Sequence, residues 1–354
     1  MKRRTKFVIM MALAVLVLVA LVLQADPSEV TEHLREADLM ILAGVVVLYL
    51  INTLTKIIRW YVLLSRKGET LPFGKVSLYF LIGLAINNAT PGRVTGEPVR
   101  AYLVKTGTDY PMGRGMASIF VEKTIDTIVT LTFAVVGILL LIGILNEEAS
   151  DALLLSAGIV AIFMMTLIAF IAFPGVPRRL FRWLFKRFGS DGDSERVDRW
   201  EDKMDGFLGT FEEGTREIAR NPYQTAAATG LTAVIWFNEA LRLWLIFLAL
   251  GYNASFELMM VATALASFAA LLIPLGAGSS TAIAAICTMA GIDGTLSTTA
   301  GLVFVMTSIW ISIPLGAGAM AISGVRGEEI LGMDRPEEGD GQMHAGAGAR
   351  SPPD

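Results

Sequence analysis

Residues 73–126 read FGKVSLYFLIGLAINNATPGRVTGEPVRAYLVKTGTDYPMGRGMASIFVEKTID. The stretch begins as an apolar helix, is interrupted at residues 89–92 (Ala-Thr-Pro-Gly), and continues into a second apolar helix. Six of the charged residues after the interruption lie just behind it or within the second apolar helix: Arg93, Glu97, Arg100, Glu122, Lys123 and Asp126. A charged side chain at the centre of a bilayer costs roughly 2.5–3.5 kcal/mol, so six unpaired ones would cost about 15–20 kcal/mol. This exceeds the net stability of a typical fold. We therefore predict a polar cavity within the membrane, in which these side chains pair, reach water or face a ligand.

The composition predicts an all-α polytopic membrane protein. Of the 354 residues, 54% are hydrophobic and 18% are charged, and apolar runs long enough to cross about 30 Å of hydrocarbon recur along the chain. Cys287 is the only cysteine, and the only histidines are His33 and His344. An intrachain disulfide is therefore impossible, and we expect no metal site and no cofactor.

The apolar runs define eight segments: 7–23, 39–64, 76–103, 117–145, 152–173, 223–250, 258–290 and 298–323. We interpret the first as a retained span, since no convincing small-residue cleavage site follows it. The basic N-terminus and the basic loop 65–75 are assigned to the cytoplasm, and the acidic loop 24–38 to the outside.

Segment 76–103 is interpreted as a re-entrant hairpin that enters from and returns to the cytoplasm. A full crossing would place the most basic part of the chain, between residues 178 and 220, outside the cell, against the positive-inside tendency. About 28 residues are also too few for two spans of roughly 20 each. The same reasoning makes 258–290, interrupted between Pro274 and Gly278, a hairpin that enters from the outside.

The topology predicts an inverted repeat of two halves, each with one re-entrant helical hairpin. The membrane domain covers residues 1–325, with halves at 7–145 and 152–323 and a cytoplasmic linker at 174–222. Both termini are predicted to be cytoplasmic, and the Gly/Pro-rich tail 334–354 to be disordered. Arg59 and Pro91 have the same separation as Arg242 and Pro274, which gives weak support for the repeat.

The candidate site is built on charges that share helical faces. Glu97 and Arg100 are three residues apart, and Glu122 and Asp126 are four apart. Gly96 allows a close backbone approach, and a helix beginning near residue 95 would direct free N–H groups at an anion such as phosphate. The alternative is an internal ion-pair network that binds no ligand.

Further candidates lie on other segments. Lys56 and Arg59 either reach the cytoplasmic surface or join the site, and Glu239 and Arg242 either pair with each other or line the cavity. Ser279 is a candidate partner for a headgroup, with helix capping as its alternative. The ten intramembrane charges, six basic and four acidic, leave a surplus of two positives, which favours an anionic guest.

The runs TPGRVTGEPVRAYL and ASIFVEKTID resemble those of the lysylphosphatidylglycerol synthase transmembrane-region family, which are flippase-like integral membrane proteins. Six residues match its first motif approximately: Pro91, Gly92, Arg93, Gly96, Glu97 and Arg100. Glu122, Lys123 and Asp126 match the following helix. Of the second motif, Gly276 and Gly278 are kept, and Thr281 stands in place of a glutamate. We expect no aminoacyl transferase domain in this chain, so the resemblance implies lipid translocation rather than lysyl transfer.

The sequence thus predicts a non-enzymatic, flippase-like protein of the cell membrane. Its partners would be membrane lipids with anionic headgroups, and not nucleic acid. One alternative is an intramembrane enzyme that uses Glu122 or Asp126 as acid or base on a lipid-linked phosphate. The other is an accessory subunit whose charges only stabilise its fold.

Overall fold

A computed structural model of the chain describes residues 26–66, 71–90, 95–141, 194–273 and 275–325, together with isolated helical positions between 16 and 23 and between 155 and 162. Five predicted features lie wholly or mostly outside the described residues: the span 7–23, the span 152–173, the first part of the linker (174–193), the tail 334–354 and Arg93.

The described residues form α-helices that we number in chain order. They are α1 (Pro27–Glu36), α2 (Leu39–Leu64), α3 (Phe73–Ala89), α4 (Gly96–Thr108), α5 (Met112–Leu141), α6 (Ser194–Arg220), α7 (Pro222–Ala249), α8 (Phe256–Leu272), α9 (Ala277–Met289), α10 (Gly294–Met306) and α11 (Ile309–Ser323). Helices α2, α5, α7 and the combined α10–α11 are long and apolar enough to cross a membrane. The chain is therefore an all-helical polytopic membrane protein, as predicted.

Polar residues fix where several helices begin. Asp38 Oδ1 accepts hydrogen bonds from the backbone N–H groups of Met40, at 2.8 Å, and Ile41, at 3.1 Å, which starts α2 at the predicted residue. Asn221 caps α7 in the same way, with proline in its first turn. Asp26 caps α1, so the segment 24–38, which we predicted as a loop, contains a ten-residue helix.

Two pairs of short helices correspond to the predicted hairpins. Helices α3 and α4 contact each other, as do α8 and α9, and the members of each pair are 17 and 13 residues long. The second turn uses left-handed backbone at Leu275 and Gly276, with φ of 56° and 82°. Helices of 17 and 13 residues are about 25 and 20 Å long, too short for two full crossings. Their re-entrant placement in the bilayer stays a prediction.

Glycines let the two helices of each hairpin approach closely. A Cβ atom on Gly96 would lie 2.0 Å from the carbonyl oxygen of Gly83, and one on Gly278 would lie 2.2 Å from that of Ala269. Both neighbours are backbone atoms, which cannot rotate away as a side chain could. Each hairpin is therefore packed backbone against backbone.

The last predicted span, 298–323, is not one uninterrupted helix. The helix stops after Met306 and restarts at Ile309. The hydroxyl groups of Thr307 and Ser308 donate to carbonyls four residues earlier, at 2.8 and 2.6 Å, a pattern that bends helices. Pro314, within α11, also lacks the N–H that would bond backwards along the helix.

The helix lengths of the two halves repeat. Helices α2 and α7 have 26 and 28 residues, α3 and α8 have 17, and α4 and α9 have 13, while α5 matches the 30 residues of α10–α11. The packing repeats as well: α2 contacts α7, α3 contacts α11, and α8 contacts α5. Such an exchange of partners is what a two-fold relation between the halves produces. That the halves have opposite orientations in the membrane stays a prediction.

The charged end of the linker forms α6, which packs on α5. The ring of Phe211 contacts the ring of Phe120 edge-on at 5.5 Å, and Ile218 is buried. Arg66 and Arg114 form ion pairs with Glu217 and Glu213 of α6, at 3.0 and 3.1 Å. One face of this part of the predicted linker is therefore part of the protein core.

Candidate functional site

The structure brings six charged side chains from α2, α4 and α5 together. We call them the ion-pair cluster: Arg59, Glu97, Arg100, Glu122, Lys123 and Asp126. Three are cations and three are carboxylates, so the cluster is balanced within itself. Its members on α4 and α5 are those that the sequence grouped.

Arg100 joins α4 to α5. One of its terminal nitrogens, Nη2, lies 2.6 Å from Glu97 Oε2 and 3.0 Å from Glu122 Oε2. The guanidinium carbon also lies 4.7 Å from the ring centre of Trp60 and 5.3 Å from that of Phe80. An arginine held by two carboxylates and two aromatic faces has a fixed position in the site.

Arg59 joins α2 to α5 and α7. Its guanidinium forms ion pairs with Glu122, at 3.0 Å, and with both carboxylate oxygens of Asp126. It also donates a hydrogen bond of 2.9 Å to the hydroxyl of Thr232 on α7. Arg59 is buried, so it does not extend to the cytoplasmic surface.

Two members of the cluster, Lys123 and Asp126, are partly exposed. Glu122, Arg59 and Arg100 are buried, whereas the side chain of Lys123 is 52% exposed and that of Asp126 is 20% exposed. Lys123 Nζ lies 2.8 Å from Glu97 Oε1, so this lysine is a member of the cluster and also its most exposed residue. An incoming anion would meet Lys123 before the buried arginines.

Asn87 connects the two helices of the first hairpin to the cluster. Its amide nitrogen donates to Glu97 Oε1 at 3.0 Å, and its amide oxygen accepts the Gly96 N–H at 2.6 Å. The predicted helix start near residue 95 is confirmed, since α4 begins at Gly96, but the first N–H group is used within the protein. Asn87 was missed in the sequence, although an Asn-Asn pair just before an interruption in an apolar helix is a usable signal.

A second group of charges lies beside the first, and we call it the α2–α7 cluster: Lys56, Glu239 and Arg242. Lys56 Nζ lies 3.0 Å from Glu239 Oε1, and Arg242 Nη1 lies 2.8 Å from Glu239 Oε2. Lys56 and Arg59 are three residues apart on α2, about 5–6 Å between Cβ atoms, so the two clusters adjoin. The pairing of Glu239 with Arg242 that we considered is present, and Lys56 joins it.

The second hairpin contributes no charged side chain to either cluster among the described residues. Ser279 Oγ donates to the carbonyl of Ala266 at 3.3 Å, within the hairpin. Gly276 packs against Val305 and Ile309, and Gly278 against Ala269. A role for Gly276, Gly278 and Ser279 in binding stays a prediction.

The described charges of the two clusters leave one surplus cation. Five are basic and four are acidic, and the surplus belongs to the α2–α7 cluster. The surplus of two predicted from the sequence included Arg93, which lies outside the described residues. Within the described residues, no group of His, Cys, Asp and Glu side chains is arranged to hold a metal ion.

Charge pairing between apolar helices, supported by hydrogen bonds and cation–π contacts, is what these clusters have in common. Together with the fold, this defines a polytopic membrane protein with an ionised interior, a class that includes transporters. The chain belongs to the family described as lysylphosphatidylglycerol synthase TM region, whose model matches residues 7–316. The resemblance found in the sequence motifs is thereby confirmed.

Several relatives are archaeal. The chain is 28% identical to a UPF0104 membrane protein of Methanothermobacter thermautotrophicus, over 93% of this chain and 99% of that protein. It is 23% identical to a UPF0104 membrane protein of Pyrococcus horikoshii, over 80% and 87%. It is also 28% identical to the glycosyltransferase AglD of Haloferax volcanii, over 71% of this chain but only 42% of that protein. No solved structure matches the chain.

Proposed function

We propose that this protein binds the anionic headgroup of a lipid in its ionised interior and moves the lipid across the cell membrane without chemical conversion. The observation that carries the proposal is the presence of two neighbouring groups of paired charges in the interior, with Lys56 of one and Arg59 of the other three residues apart on α2. Ionised groups within spans are costly, and they mark the paths of polar substrates in membrane proteins. Both termini would lie in the cytoplasm.

The ion-pair cluster suits reversible binding. Each of its cations already has a carboxylate partner, so an anion can bind only by taking over part of that pairing. Binding is then moderate, as a carrier needs, because a guest that is held too tightly is not released. Lys123 would make the first contact, and Arg100 and Arg59 would hold the phosphate deeper in the site.

The carboxylates have a matching role in this proposal. Glu97 and Glu122 hold the cations in place when no lipid is bound, and they return to them when it leaves. The exchange avoids leaving a buried arginine unpaired, which would cost several kcal/mol. The same lipid phosphate can thus enter and leave without a large change in the stability of the protein.

The test is translocation of fluorescently labelled phosphatidylglycerol in proteoliposomes. The informative variant is the double substitution Glu97→Gln with Arg100→Gln, which removes one cation and one carboxylate and keeps the cluster balanced. We expect it to fold and to lose most of the transport. Lys105→Gln, at an exposed position on α4, is the matched control and should transport normally. Wild-type transport by the double variant would contradict the proposal.

A further inference from the structure

Among the described residues, the α2–α7 cluster holds two cations and one carboxylate, so it carries one surplus positive charge. Lys56 and Arg242 both pair with Glu239, so two cations share a single carboxylate. The side chain of Arg242 is completely buried, and those of Lys56 and Glu239 are 24% and 15% exposed. A positive charge in such a place is costly unless an anion is near.

Because the helix lengths of the two halves correspond, the positions where a carboxylate could balance Arg242 can be found by comparison with Arg59. Arg242 lies on α7 where Arg59 lies on α2, and each arginine contacts the long span that follows in its own half. Arg59 pairs with Glu122 and Asp126 on α5. Counting from the starts of α5 and α10, the corresponding residues are Phe304 and Ser308, neither of them acidic. The second half has kept the arginine without its carboxylates.

Arg242 is nevertheless held rigidly. Its guanidinium carbon lies 4.9 Å from the ring centre of Tyr49 and 5.0 Å from that of Phe304. Its Nη2 donates to the carbonyl oxygen of Thr307 at 3.3 Å, in the interruption between α10 and α11. Its Nε is buried and makes no hydrogen bond among the described residues. A fixed arginine that shares its one described carboxylate with Lys56 fits an anion site that is formed in advance.

We propose that Lys56, Glu239 and Arg242 form a second anion site, which binds a phosphodiester carrying one negative charge. The inference rests on the proposed function, since it assigns the substrate class of the same ionised interior. The anion contacts the partly exposed ammonium of Lys56. The buried Arg242, on the other oxygen of Glu239, attracts the anion electrostatically without contacting it. One negative charge balances the site, whereas a phosphomonoester carries about −1.5 to −2 at pH 7 and would overcompensate it.

Two variants shift the charge of this site in opposite directions. Lys56→Gln leaves Glu239 and Arg242 as a balanced pair, and Glu239→Gln leaves two cations. Short-chain phosphatidylglycerol, phosphatidic acid and phosphatidylcholine are the probes, titrated into the detergent-solubilised full-length protein. For phosphatidylglycerol we expect Lys56→Gln to raise the Kd roughly tenfold to a hundredfold. Glu239→Gln should shift the preference toward phosphatidic acid by roughly tenfold.

Competition with dimethyl phosphate, a phosphodiester without acyl chains, identifies the source of the ligand. Failure to displace phosphatidylglycerol at equal concentration assigns the site to lipid, and equal competition assigns it to soluble phosphodiesters. Lys105→Gln is again the matched control. The second site is overturned if Lys56→Gln binds phosphatidylglycerol as tightly as wild type, or if phosphatidylcholine binds equally well.

The experiments distinguish a failure of the second anion site from a failure of the proposed transport function. If wild type binds phosphatidylglycerol through Lys56 but does not translocate it, the second site stands and the proposed transport function is wrong. If transport depends on Glu97 and Arg100 while Lys56→Gln has unaltered binding, the transport function stands and the second site is wrong. Because Lys56→Gln leaves no buried charge unpaired, a folding defect does not obscure either result.

Discussion

Arg59 is the residue on which the stability of the ion-pair cluster depends most directly. It is buried and contacts Glu122, Asp126 and Thr232, so it links three helices. We expect Arg59→Gln to lower the free energy of unfolding by about 3–5 kcal/mol, because it removes the buried guanidinium that pairs with both Glu122 and Asp126. Unfolding in detergent micelles, followed by circular dichroism, measures the change.

A second substitution separates charge balance from packing at this position. Adding Asp126→Asn to Arg59→Gln restores neutrality, so the double variant should recover part of the lost stability. Arg66→Gln is the matched control, since its ion pair with Glu217 lies at the surface and should contribute no more than about 1 kcal/mol. Equal losses for Arg59→Gln and Arg66→Gln would mean that burial of the charge is unimportant.

Charged residues could be found from the sequence more readily than their partners. Glu97, Arg100, Glu122 and Asp126 stood out because charge within apolar sequence is costly, and they do lie together. The pairing of Lys56 with Glu239 could not be read from spacing, since it depends on how α2 and α7 rotate against each other. Whether Arg59 is buried also depends on how α2 packs against its neighbours. The sequence alone therefore left exposure of Arg59 at the surface as an alternative.

At the scale of elements, the hairpins depend on close contact between helix backbones. Gly96→Ala would place a methyl group 2.0 Å from the Gly83 carbonyl oxygen and force α3 and α4 apart. We expect a loss of roughly 1–3 kcal/mol or more, because the neighbouring atom is backbone and cannot rotate away. The measurement is the midpoint of thermal unfolding in micelles.

The control for this prediction is another glycine in a helix. Gly230 lies at an exposed position on α7, and a Cβ atom there meets nothing within 4 Å. Gly230→Ala should leave stability unchanged or raise it by up to about 1 kcal/mol, because alanine favours helix. If Gly96→Ala were as harmless as Gly230→Ala, the tight packing of α3 on α4 would be disproved.

Interruptions of helices were predictable only where the sequence contains a helix-breaking residue. Pro91 and Pro274 mark the two hairpin turns, and α3 and α8 do end just before them. The interruption at Thr307 and Ser308 carries no such signal, because threonine and serine are common within helices. Their hydroxyls bond back to carbonyls of α10, and this bending effect depends on the local packing.

At the scale of the whole molecule, the two clusters differ in charge although the helix lengths of the two halves correspond. The halves share helix lengths and exchange packing partners, but of the two corresponding spans, α5 and α10–α11, only α5 carries carboxylates that pair with the arginine of its own half. Equal helix lengths combined with unequal charges give one balanced cluster and one with a surplus cation among the described residues. The inverted repeat predicted from topology stays a prediction, whereas the unequal charge balance could be found only from the contacts.

The orientation of the halves leads to a prediction for labelling from the two sides of the membrane. Single cysteines replace Ser65, Lys105, Ser28 and Asn253, all at exposed positions, and Cys287 stays because it is buried. Positions 65 and 105 should react with a membrane-impermeant maleimide only in inverted vesicles, because the first hairpin returns to the cytoplasm. Positions 28 and 253 should react in intact cells.

The decisive comparison is between positions 65 and 105, which flank the first hairpin. Helices α3 and α4, at 17 and 13 residues, are too short for two full crossings, so both ends of the hairpin should lie on one side. A cysteine at Thr288, near the end of α9, should likewise share its side with position 253. If 65 and 105 react from opposite faces, α3 crosses the bilayer completely and every later helix changes direction. The ionised interior would then have to open differently, and transport through two opposed hairpins would be ruled out.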